Sequence, residues 1–188
     1  MGDALTLYNR TIKRPWVTSG LDVQYKLVGN ELSFQCTVSK SDWRHNFMIQ
    51  PYRNTKTKWY AHKGFVLLYK SVRDEILELV KDIPLVHVCG YSQGAAIATL
   101  ALEDIRFSSG KAVEGSVFGS PRVLWLPPKE IRSRFTSLVN WQVRGDIATK
   151  APFAWLGYRH VGSVKKLGPC SILSATKHEP ASYRKYLE

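Results

Sequence analysis

Apolar and polar residues alternate with a period of two from Asp22 to Val28, and again from Glu31 to Thr37, on either side of Gly29-Asn30. That period is the spacing of a half-buried strand, and Gly-Asn is a turn signal, so the segment predicts a β-hairpin. Between residues 62 and 81 the spacing changes. Phe65, Leu68, Tyr69, Val72, Ile76, Leu79 and Val80 recur at intervals of three and four, which places them on one face of a helix. Asp82-Ile83-Pro84 ends it. A short apolar strand, Leu85 to Cys89, is followed by Gly90-Tyr91-Ser92-Gln93-Gly94 and then by an Ala- and Leu-rich helix from Ala95 to Ile105. Val113 to Phe118 and Ser137 to Val143 read as further strands, 144–158 as an irregular loop, and Pro180 to Leu187 as a short amphipathic helix. Strands separated by helices predict an α/β fold with a mostly parallel central sheet flanked by helices. No repeat, low-complexity tract or linker divides the chain, so residues 1–188 are expected to form one domain, with disorder confined to a few N-terminal residues.

The chemistry begins at residues 90–94. Gly-X-Ser-X-Gly between an apolar strand and a helix is the pattern of a nucleophile elbow, in which the serine occupies a strained turn. Side chains at 90 and 94 would meet neighbouring backbone, and the helix N-terminus is aimed at the serine oxygen, where it stabilises developing negative charge. An unassisted serine is a poor nucleophile, so a carboxylate and a histidine are sought in that order after Ser92. Glu103 and Asp104 lie too far along the elbow's own helix, Glu114 on a strand and Glu130 on a helix. Asp146 follows the strand ending at Val143, at the carboxyl end where active-site loops gather, and is the candidate acid; a loop-capping role is the alternative. His45, His62 and His87 precede the elbow, and His87 reads as a packed residue of a core strand. His160 and His178 both remain as candidate bases.

These segments together resemble the class 3 lipase family, the fungal triacylglycerol lipase type of α/β-hydrolase. Phe34 to Trp43 resembles the family's Phe-Arg-Gly-Thr/Ser stretch running to Asp-Trp, His62-Lys63-Gly64-Phe65 its His-x-Gly-Phe, and Gly90 to Ala96 its elbow. Phe118-Gly119-Ser120-Pro121-Arg122, Gly145-Asp146, Gly157 to Gly162, and His178 followed by Tyr183 continue the match in order. The resemblance implies that His178 is the base and that His160 belongs to a structural segment. It also implies an oxyanion hole built from the backbone N–H of Gln93 and from Thr37, and a lid over residues 38–47. Lys40, Arg44 and His45 interleaved with Trp43 and Phe47 would suit a flap on an anionic lipid surface. Departures are Gln35-Cys36 where the family has Arg-Gly, Tyr91 for His and Gln93 for Leu; the disulfides of secreted relatives have no evident counterpart. The implied reaction is serine-dependent hydrolysis of lipid carboxylic esters, with no metal or organic cofactor. Hydrolysis of small soluble esters or thioesters, and an idle hydrolase fold binding lipid or nucleic acid, are the alternatives.

Charge changes the picture of partners. Lys and Arg number 27 against 15 Asp and Glu, a formal net charge of +12, which suits an anionic surface or serves solubility. The cations form no stripe and the aromatics fall at core-like positions, which argues against nucleic acid. Nothing in the sequence approaches the 18 apolar residues of a membrane span. Three cysteines without a framework spacing, and no apolar leader in residues 1–14, favour a cytoplasmic protein. Met1 to Thr6 also matches a myristoylation pattern.

Overall fold

The computed structural model describes residues 2–13, 15–35, 48–54, 57–170 and 172–188. In chain order the elements are α1 (Gly2–Ile12), β1 (Val17–Ser19), β2 (Val23–Val28), β3 (Glu31–Gln35), β4 (Pro51–Asn54), β5 (Trp59–His62), α2 (Lys63–Leu79), β6 (Leu85–Tyr91) and α3 (Gln93–Ser109). They continue with β7 (Ala112–Phe118), β8 (Leu124–Trp125), α4 (Lys129–Arg132), β9 (Leu138–Val143), β10 (Tyr158–Arg159), β11 (Ser163–Leu167) and α5 (Pro180–Leu187). The central sheet has the order β1-β2-β3-β6-β7-β9-β11. β1, β2 and β3 pair antiparallel, and every junction from β3 to β11 is parallel. A second sheet, β10-β8-β5-β4, is antiparallel throughout.

Two apolar layers cover the central sheet because its strands alternate. Val86 and Val88 of β6, Val113 and Val117 of β7, and Leu138 of β9 pack with residues of α2 and α3. Tyr91, Phe118, Val143 and Leu167 face the other way, onto Ala4 and Tyr8 of α1 and Tyr183 and Leu187 of α5. A strand buried on both faces loses the polar half of its pattern, which is why the parallel strands read as continuous apolar runs. Every residue of α3 from Gln93 to Ile105 is buried, as expected of a helix enclosed on all sides.

The expected hairpin forms, with Val28 opposite Glu31, and the helix expected over 62–81 is α2. Where a few disordered N-terminal residues were expected, the described residues from Gly2 onward form α1. Ala4, Tyr8 and Thr11 recur at helical spacing and bury one face of α1 on the sheet. The elbow helix starts two residues earlier than its composition suggested. It ends at Gly110, whose positive φ of 66° and N–H bond to the Arg106 carbonyl close the last turn. The second sheet and β11 were not expected. Their strands run two to five residues, too short for a period to show.

Candidate active site

β6 runs into Ser92 and α3 starts at Gln93, so one residue makes the whole turn. Ser92 has φ 57° and ψ −124°, a conformation that costs a residue with a Cβ about 1–3 kcal/mol and persists only where its surroundings enforce it. Those surroundings are visible. A Cβ on Gly90 would lie 2.3 Å from the Gly94 carbonyl oxygen, and one on Gly94 would lie 2.4 Å from the Phe34 carbonyl oxygen. The elbow therefore closes onto itself and onto the end of β3. The Ser92 N–H donates to the Phe118 carbonyl at 2.9 Å, tying the turn to β7.

The parallel register brings the rest to the same edge of the sheet. Tyr91 pairs with Phe118 and Phe118 with Trp141, so the carboxyl ends of β6, β7 and β9 lie side by side. Asp146 follows β9, and its backbone bridges Ser174, whose N–H donates to the Gly145 carbonyl at 2.8 Å. Ser174 caps the short 3-10 turn Ala175–His178 that delivers the imidazole. The Ser92 hydroxyl lies 2.7 Å from His178 Nε2, and His178 Nδ1 lies 2.9 Å from Asp146 Oδ2. An ionised carboxylate only accepts, so His178 carries its proton on Nδ1 and turns a bare Nε2 toward the hydroxyl.

Asp146 is fully buried, and a buried carboxylate must be met by donors. Its Oδ1 accepts the Ala148 N–H at 2.8 Å, and its Oδ2 accepts the Tyr183 hydroxyl at 2.5 Å as well as the imidazole. Burial first, and the Asp146 charge second, hold the Tyr183 phenol well above its ordinary pKa, so it stays a donor. Gly119, at φ 62°, passes beneath the ring; a Cβ there would lie 3.0 Å from His178 Cε1. Tyr91 stacks on His178 with ring centroids 5.3 Å apart, and its hydroxyl donates to the His178 carbonyl. Arg122 donates to the carbonyls of Lys150 and Pro152 and so fastens the loop that carries Asp146. The sequence marked Tyr91 only as a departure at the elbow and did not mark Tyr8; neither was expected as a support. The Tyr8 hydroxyl donates to the Pro180 carbonyl at 2.9 Å, a contact between residues 172 positions apart.

The remaining expected residues lie elsewhere. His160 is boxed in by the Thr149 carbonyl at 2.8 Å and the Gln142 amide, and burial depresses its pKa to about 4. His62 is buried and stacks on Phe65, while His87 contacts Ser116. Glu103 accepts from Trp59 and Arg134, and Asp104 from Tyr69 and Arg73, all structural pairings. Gln93 is buried as the first residue of α3. Thr37, His45 and the expected lid over 38–47 lie outside the described residues. Among the described residues no group of three or more His, Cys, Asp or Glu is arranged to hold a metal ion. Nor is any described helix long and apolar enough to cross a membrane.

A mostly parallel sheet with a strained serine turn at the carboxyl end of a central strand is the α/β-hydrolase fold. Within it, the chain belongs to the class 3 lipase family, whose model matches residues 31–155. The secreted mono- and diacylglycerol lipase A of Penicillium cyclopium is 31% identical over 113 residues, covering 54% of this chain and 35% of that protein. Its Penicillium camembertii namesake matches equally. The chain thus spans about a third of the length of these relatives. Lipase II of Rhizopus niveus superposes with a TM-score of 0.70 at 21% identity, over 88% of this chain and 77% of that one. The Rhizomucor miehei lipase in its propeptide complex gives 0.70 at 19%, over 88% and 68%. The cytoplasmic expectation is corrected by the Penicillium relatives, both named as secreted. Cysteine count and the composition of residues 1–14 were weak guides to compartment, because neither bears on how this family folds or works.

Proposed function

We propose that the protein hydrolyses carboxylic esters of lipids through an acyl-enzyme on Ser92. The observation that carries this reading is the continuous path from the Ser92 hydroxyl through His178 to Asp146, at 2.7 and 2.9 Å. In this reading Ser92 Oγ attacks the ester carbonyl as His178 Nε2 takes its proton, and Asp146 stabilises the imidazolium without being protonated. Collapse of the tetrahedral intermediate breaks the ester C–O bond, and the leaving alcohol takes the proton from Nε2. Water then attacks the acyl-enzyme by the same route, releasing the carboxylic acid and restoring the serine. The Gln93 N–H, at the start of α3, and Thr37 are the proposed oxyanion donors, each contributing roughly 3 kcal/mol. The close crossing of β3 over Gly94 supports a donor from the segment that follows β3.

The names of the Penicillium relatives favour mono- and diacylglycerols as substrates, and their secretion belongs to the same reading. Peripheral contact with an anionic lipid surface extends it. Ile147, Phe153, Trp155, Ile172 and Leu173 are exposed on the loops flanking Asp146 and leading to His178, on a chain of formal charge +12. A fluorophosphonate should add once per chain, and Ser92→Ala should abolish the adduct. An ester series from acetate to palmitate, run beside mono-, di- and triacylglycerols, then ranks the substrates. Adduct on another serine would overturn the assignment.

A further inference from the structure

Behind the loop that carries Asp146 lies a second cavity, of about 230 Å3, which neither Ser92 nor His178 lines. Arg144, Gly145, Thr149, Lys150, Lys166 and Cys170 form its walls, at the carboxyl ends of β9 and β11, where open α/β sheets hold ligands. Three cations therefore share one small space, and no lining residue is acidic. Among the described residues no carboxylate forms an ion pair with Arg144, Lys150 or Lys166. Their charges are felt nearby. Lys166 is held below the ordinary lysine range, by burial first and then by Lys150, Arg122 and Arg144, with the Asp146 carboxylate opposing the shift in the smallest measure. His160 behind the cavity is depressed by burial and further by Arg122, Lys166 and Lys150.

We propose that this cavity binds a phosphate group. Three like charges with no carboxylate paired to them, and only Asp146 acting from beyond the cavity wall, oppose folding, and an anion seated among them reduces that opposition. The donor inventory suits phosphate. Arg144 commits one guanidinium nitrogen to the Gly168 carbonyl, at 3.3 Å, and Lys166 one bond to the Gln142 side chain, so both retain donors. No hydrogen bond from the Lys150 ammonium to a described residue is found, and Lys150 faces the same space. A phosphate monoester offers three acceptor oxygens and a charge of about −1.5 to −2 at neutral pH, which a planar guanidinium and two ammonium groups complement. The lip is apolar: Leu173 lines the cavity, and Ile172 beside it is 89% exposed. That lip fits a phosphate carried on an acyl chain as well as a free one. The cavity also shares walls with the acid loop, since the Thr149 hydroxyl donates to the Asp146 carbonyl at 2.8 Å.

Binding is tested on Ser92→Ala protein, so the result does not depend on the hydrolase reading. Inorganic phosphate is titrated calorimetrically at constant ionic strength. In parallel, the protein is sedimented with neutral vesicles doped with phosphatidic acid or, at equal surface charge, with oleate. Lys150→Glu/Lys166→Glu should weaken binding at least tenfold. Lys129→Glu/Arg132→Glu, an equal change in charge at exposed positions of α4, should leave it intact. Phosphate should also slow alkylation of the exposed Cys170, read by peptide mass spectrometry on protein with native cavity residues. Preference for phosphatidic acid over oleate, without binding of inorganic phosphate, supports the site and identifies the source as a lipid headgroup. Binding of inorganic phosphate without vesicle preference supports it with a free phosphate as the source. Equal losses in the two double variants, or Cys170 unprotected at saturating phosphate and vesicle, would overturn the proposal.

Discussion

At the scale of single residues, Asp146 divides its acceptors, with Oδ1 taking the Ala148 N–H and Oδ2 taking both His178 and Tyr183. In the proposed mechanism Tyr183 touches no reacting atom and acts by fixing the carboxylate, to which its hydroxyl donates. A hydrogen bond to a charged group contributes about 1.5–3 kcal/mol. Tyr183→Phe should therefore lower kcat about tenfold with KM little changed, and lower stability by a similar free energy. Steady-state kinetics beside urea unfolding checks both, and an unchanged kcat would reduce Tyr183 to packing. The two late histidines separate in the same way. His178→Ala should cost about as much activity as Ser92→Ala, because groups that act as a unit fail as a unit. His160 should act through pH-dependent stability instead. Its folded pKa of about 4 lies below the usual 6.5, so the unfolded chain binds a proton that the folded chain refuses. The resulting stability is present above pH 6.5 and is lost as pH falls toward 4, on the order of 3 kcal/mol in all. His160→Asn should flatten that loss in denaturation curves recorded across the window. An equally steep loss would place the titrating group elsewhere.

At the scale of elements, the elbow depends on how closely β3, β6 and α3 approach one another. Gly94→Ala drives a Cβ into the Phe34 carbonyl, a backbone atom that cannot swing aside. The loss should reach several kcal/mol and bring activity down with it. Gly110→Ala is the control. Nothing lies within 4 Å of its Cβ, so the strain of its φ of 66° alone should cost about 1–2 kcal/mol. Similar melting temperatures for the two variants would show that the crossing is looser than its geometry. The same closeness explains what could be read in advance. Gly90 and Gly94 are legible because only glycine fits there, and α2 because seventeen residues carry a clear period. The order of Ser92, Asp146 and His178 was legible too, but the choice of His178 over His160 came from resemblance, not from spacing. β8 and β10 were not legible, since two residues cannot show a period. α1 was missed because its moderate face, Ala4, Tyr8 and Thr11, gains meaning only against Phe118 and Tyr183. Tyr91 stands in the elbow motif only as a variable position and Tyr8 in no motif, and their contacts arise from partners 87 and 172 residues away.

At the scale of the whole molecule, the sheet order gathers Ser92, Asp146 and His178 at one edge, and the loops there leave apolar side chains in solvent. Ile147, Phe153, Trp155 and Leu173 are each about half exposed or more, and Phe153 stacks on Trp155 with centroids 6.2 Å apart. Burying such side chains in a lipid interface is favourable by roughly 1.5–3 kcal/mol each when complete. The charge of +12 adds on the order of 1 kcal/mol for each cation that comes near an anionic surface. These two contributions respond differently to salt. The electrostatic part is screened over about 8 Å at physiological ionic strength, whereas the apolar part persists. Hydrolysis on anionic vesicles should therefore fall steeply as salt rises, toward a floor set by the exposed aromatics. Trp155→Ala should lower that floor at high salt. Under the proposed mechanism a short soluble ester needs only Ser92, His178 and Asp146, so its turnover should respond little to salt or to Trp155→Ala. Paired salt titrations of both proteins on both substrates measure the separation. Equal salt dependence on the two substrates, or none on vesicles, would leave the charge as a solubility feature and the exposed aromatics without a lipid partner.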